Sequence, residues 1–75
     1  MRNKNYTPEI IMAQKFILDH CYDGELKNFI YQMMHESDGM THSERWAEVY
    51  DWMNEHYPNN MTGELITGFT YYIES

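Results

Sequence analysis

The sequence predicts an all-α protein, a compact bundle of three to four short helices over residues 8–20, 24–36, 42–57 and 63–74. Three observations lead there. Each segment opens on a residue suited to capping a helix, and apolar residues recur within it at intervals of three and four. Clusters of Gly, Pro, Asn, Asp and Ser fill the gaps between segments. Residues 6–75 read as a single helical domain, and residues 1–5, MRNKN, as a flexible N-terminal tail.

The first helix begins at Thr7-Pro8. Thr accepts from an orphaned backbone N–H, and Pro suits the first helical position because the donor it lacks would go unused there. Tyr6 and Ile11 are spaced as a hydrophobic staple across that start. Ile10, Ala13, Ile17 and Cys21 fall on one stripe, with Met12 and Phe16 beside it. Cys21 therefore reads as a small buried hydrophobe. Asp23 caps the second helix, whose apolar residues Leu26, Phe29, Ile30, Met33 and Met34 follow the spacing of an amphipathic helix. Ser37-Asp38-Gly39 ends it.

Thr41 and Glu44 are spaced as a capping box for the third helix, which turns Trp46, Val49, Tyr50, Met53 and Tyr57 inward and stops at Pro58. Thr62 caps the fourth, with Met61 and Ile66 as its staple and Leu65, Ile66, Phe69, Tyr72 and Ile73 on its buried face. The run GFTYYI gives this last segment a competing strand reading, because aromatic and β-branched residues also suit sheets. The connections are short, so successive helices are expected to lie roughly antiparallel. YDGEL at 22–26 echoes MTGEL at 61–65, which is explained by two similar helix starts.

Charge narrows the function. The net charge is −7, and from residue 46 onward there are five acids and no lysine or arginine. Such a chain is repelled by nucleic-acid backbones and anionic membranes, so direct binding to either is not expected, and a partner with a basic surface is. No segment offers the basic face of a DNA-reading helix. There is neither the long apolar core of a signal sequence nor a membrane span in the sequence, and a lone cysteine suits a reducing compartment. These features point to the cytoplasm, or to the host cytoplasm for a phage-encoded protein.

The sequence carries no recognisable catalytic or metal-binding pattern. His20, His35, His42 and His56 are too far apart for zinc-ligand pairs, and there is one thiol. Placing Gly39 at the centre of a calcium loop puts Met34 at the first ligand position and Arg45 at the last, where a carboxylate is required. Exposed carboxylates are poor general acids near neutral pH. The expectation is a non-enzymatic protein with no metal and no cofactor.

The candidate site is a row of acids on the third helix. With Glu44 at 0°, Glu48, Asp51 and Glu55 fall at about 40°, −20° and 20°, in a line about 16 Å long. Like charges at this spacing repel, and no cation is interspersed among them. Trp52 lies near 80°, on the shoulder of the row, with Arg45 and His56 beside it, the composition of an interface hot spot. An acidic outer face is also what any solvated helix of an acidic protein presents. The expected partner-binding residues are Glu44, Glu48, Asp51, Trp52 and Glu55. They would dock on the basic surface of a nucleic-acid-binding protein, where carboxylates take the places of phosphates. That is the action of a small inhibitor or modulator of the kind phages and mobile elements encode. The alternative is a small structural or adaptor subunit, or a homodimer, that binds through apolar and tyrosine surface. Tyr22, Tyr31 and Tyr71 fall outside the apolar stripes and would serve it.

Overall fold

The structure, a computed structural model, describes residues 7–75. The tail expected over residues 1–5, and the Tyr6 half of the first staple, lie outside the described residues. Four helices follow in order: α1 Pro8–Asp19, α2 Gly24–Glu36, α3 His42–His56 and α4 Gly63–Glu74. No strand occurs among the described residues, so the strand reading of the last segment falls away.

Each start is capped as its sequence dictates. The side chains of Thr7, Asp23, Thr41 and Thr62 accept from backbone N–H groups of the first turn of α1, α2, α3 and α4 in turn. At α3 the box is reciprocal: the Glu44 N–H donates to Thr41 Oγ1 at 3.2 Å, and the Thr41 N–H donates to Glu44 Oε1 at 2.9 Å. These bonds satisfy donors that a helix leaves orphaned.

The last helix is the hub. α1 packs most extensively against α4, α3 next, and α2 to a lesser degree, while α1 and α2 approach each other less than either approaches α4. Neighbours in sequence are therefore not always the main partners in space. Leu65, Ile66, Gly68, Phe69, Thr70 and Ile73 are all buried, an arc of about 200° around α4. Glu64, Tyr71 and Glu74 occupy the open side, and the strand-like look of the sequence comes from the aromatic and β-branched residues of the buried arc. The one buried hydroxyl in it, Thr70 Oγ1, donates to the Ile66 carbonyl at 2.8 Å and so is satisfied within the helix.

Gly68 sets the distance between α1 and α4. A Cβ at this position would lie 2.7 Å from the Glu9 carbonyl carbon and 3.3 Å from the Ala13 Cβ, with the Glu9 oxygen nearer still. The core that forms around this crossing includes Phe16, Leu26, Ile30, Met33, Val49, Met53 and Phe69. The chain exposes 4887 Å², close to the roughly 4900 Å² typical of a folded monomer of its mass.

Three sequence expectations are corrected. Cys21 is exposed. α1 ends at Asp19 with His20 as its cap, so the helical phase that would carry Cys21 inward is lost one residue early. Tyr50 is 40% exposed, because it lies about 80° from the midpoint of the buried pair Val49 and Met53; it stacks on Trp46 at 5.5 Å instead. Met12 and Met34 also sit at the margins of their stripes and stay partly open to solvent.

Candidate partner-binding face

α3 carries the acids in line. Glu44, Glu48, Asp51 and Glu55 are all exposed. Glu44 is committed to the capping box, where a carboxylate also complements the positive end of the helix. For Glu48, Asp51 and Glu55, no Lys, Arg or His nitrogen lies within 4.0 Å among the described residues. The row thus divides into one carboxylate with a structural task and three that face solvent.

Arg45 is drawn away from this face. Its Nε donates to Ser37 Oγ at 3.0 Å, Nη2 to the Ser37 carbonyl at 2.9 Å, and Nη1 to Glu74 Oε2 at 3.2 Å. The guanidinium fork joins the buried C-cap of α2 to the end of α4, and so it is not beside Trp52 as its helical angle suggested. Glu74 also receives His42, whose Nδ1 is 2.8 Å from Oε2 and whose ring stacks on Tyr71 at 5.5 Å. With its only arginine engaged at one end, the outer face of α3 keeps its negative charge uncompensated.

Trp52 is half-buried at the edge of the row, with both ring faces covered. Phe29 of α2 stacks on one at 4.8 Å and 13°, and His56 on the other at 3.9 Å and 9°. His56 is fixed by donating from Nδ1 to the Trp52 carbonyl at 3.0 Å, and its Nε2 lies 3.5 Å from Glu25. What Trp52 offers a partner is its ring edge. Much of its surface ties α3 to α2.

The end of α3 forms a second junction that sequence reasoning missed. The Tyr57 hydroxyl donates to Asp23 Oδ2, while Asp23 Oδ1 accepts from the Glu25 and Leu26 N–H groups at 3.0 and 3.2 Å. The phenol bond, with the two backbone donors, holds the Asp23 carboxyl below its ordinary range. Tyr57 is pushed up to about 12, first by burial and then by its bond to the Asp23 carboxylate and the charge there. Phe16 meets the Tyr57 ring edge-on at 5.1 Å, and His20 stacks on Phe16 at 4.1 Å. Nothing local signals a bond between residues 34 apart in the chain. A caps-only view of Asp23 could not supply it.

This junction gives a pH prediction. The folded chain retains the Tyr57 proton above the ordinary tyrosine value of 10, which the unfolded chain releases. Stability from this bond is full below pH 10 and declines as pH rises towards about 12. Tyr57→Phe should lower the melting temperature by about 5 °C at neutral pH. The gap between variant and parent should close in the alkaline window, and the phenolate absorbance titration of the variant should lack its latest step.

Among the described residues, no three His, Cys, Asp or Glu side chains gather closely enough to hold a metal ion, and no helix is long and apolar enough to cross a membrane. Compared with protein families, curated proteins and solved structures, the chain finds no match.

Proposed function

We propose that the protein is a non-enzymatic binder of another protein, an inhibitor or modulator that docks the carboxylate face of α3 on a basic surface. The observation that carries this reading is the line formed by Glu48, Asp51 and Glu55, exposed and without a cationic neighbour among the described residues. Charges at successive helical turns are spaced roughly 5–6 Å apart, comparable to phosphates along one nucleic-acid strand. A nucleic-acid-binding protein is the partner class that fits, with the acids at its phosphate sites and the Trp52 edge against its rim. The stack of Phe29, Trp52 and His56 favours this role by holding the face rigid, so that little ordering is required on binding.

The test joins capture to competition. Partners retained from the native host would be purified and titrated against the protein with and without duplex DNA. Binding is expected to be competed by DNA and to weaken steeply with salt. Replacing Glu48, Asp51 and Glu55 together with Gln is expected to weaken it about tenfold or more while the fold persists. Undiminished binding by the triple variant, or indifference to DNA, overturns the reading.

A second reading rests on the aromatic surface. Tyr50 and Tyr71 are exposed on α3 and α4, stacked on Trp46 and His42, and Trp46 Nε1 donates to Thr67 at 3.1 Å across the two helices. An adaptor subunit docking there would bind with little response to salt and would tolerate the triple change.

A further inference from the structure

Apart from α3's acids, α1 presents an outward face with a different composition. Ile11 is 53% exposed, Leu18 72%, and Tyr22, in the turn after the helix, 80%. Ile11 and Leu18 are seven residues apart and share one face, opposite the buried Ile10, Ala13 and Phe16. Between them lies Lys15, paired with Asp19 at 3.4 Å. In a chain of net charge −7, this face combines its largest exposed aliphatic groups with a balanced charge pair. Beside it an open groove of about 310 Å³ is lined by Met12, Phe16 and Leu65, with Lys15, Asp19 and Glu64 among its polar residues.

We propose that this face binds a second copy of the chain as a two-fold dimer of antiparallel α1 helices. A two-fold interface needs one patch that is complementary to itself, and the Lys15–Asp19 spacing supplies one centred on Leu18, with Ile11 at its outer edge. Setting Lys15 opposite the partner's Asp19 fixes the axis near position 17. Leu18 then meets the partner's Leu18 across the axis, separated by about 3 Å along it. The same register brings Met12 of each copy, at the mouth of the groove, beside the partner's turn after Asp19, which carries the exposed Tyr22. A ring over a thioether and apolar side chains is a favourable contact. Both Lys15–Asp19 pairs can be exchanged between copies, so the contact adds no like-charge repulsion at its centre. Elsewhere two copies, each of net charge −7, repel. The dimer is reversible and forms between folded monomers.

This inference is independent of the acidic face of α3, and salt separates the two. Dimerisation strengthens with salt, because self-repulsion is screened, whereas docking of the carboxylate row weakens. Sedimentation equilibrium of the full chain should show the average mass rising from 9.1 kDa towards twice that over about 10 µM to 1 mM. Leu18→Glu, at an exposed site, should keep the circular dichroism and melting curve of the parent at dilute concentration and weaken dimerisation about tenfold or more. Lys15→Asp should weaken it also, and Lys15→Asp with Asp19→Lys should restore it. A parent that stays at 9.1 kDa throughout, or a Leu18→Glu variant that associates as the parent does, overturns the proposal.

Discussion

Gly68→Ala is expected to destabilise the protein by about 3 kcal/mol, measured by urea denaturation. The direction is opposite to helix propensity, which favours Ala over Gly by about 1 kcal/mol in a helix interior. The new methyl group would overlap the Glu9 carbonyl and press on Ala13. Backbone of one helix cannot swing aside as a side chain can, so α1 must move off α4 and open the largest helix contact in the molecule. Gly24→Ala is the control. A Cβ there meets nothing within 4 Å, and the change should leave stability unaltered or raise it by up to about 1 kcal/mol. Equal effects at the two glycines would show that α1 does not approach α4 at Gly68.

Arg45→Ala should produce the next largest loss, about 2–3 kcal/mol. The guanidinium serves Ser37, which is buried, and Glu74 together, and its own side chain is only 20% exposed. Truncation removes three directed bonds at once, leaving the Ser37 carbonyl with the Met40 N–H alone and the Glu74 carboxylate with His42 alone. Arg45→Lys should recover part of this, through charge alone, because an ammonium cannot reproduce three directed bonds from one plane. Thermal melts of both variants decide it. A lysine variant as stable as the parent would reduce Arg45 to a charge rather than a fork.

Most of the helical framework is written in local chemistry. Thr7-Pro8, Asp23, the Thr41–Glu44 box and Thr62 fix the four starts because each is a matter of three or four adjacent residues. The acidic row was legible for the same reason, since a helical angle depends on nothing outside the helix. What remained hidden depends on contacts between helices. Arg45 and Trp52 share an angle on α3, yet α4 and the end of α2 claim one while Phe29 claims the other. The Tyr57–Asp23 bond and the covered faces of Trp52 are of this long-range kind. Cys21 was misplaced by one residue of helix length, and α4 was ambiguous because its aromatic and β-branched residues suit a strand as well as a buried helix face.

The position of α4 has a consequence for how the chain acquires its structure. Helical bundles whose neighbours pair in sequence order form contacts over short separations and fold fast. Here the most extensive packing joins Ala13 and Phe16 to Gly68 and Phe69, more than 50 residues away. During synthesis α1, α2 and α3 emerge before the helix that covers them, so their apolar stripes wait unburied until translation reaches α4. Folding should therefore be a late, concerted event, and a ribosome stalled before residue 63 should hold a chain that proteases cut freely.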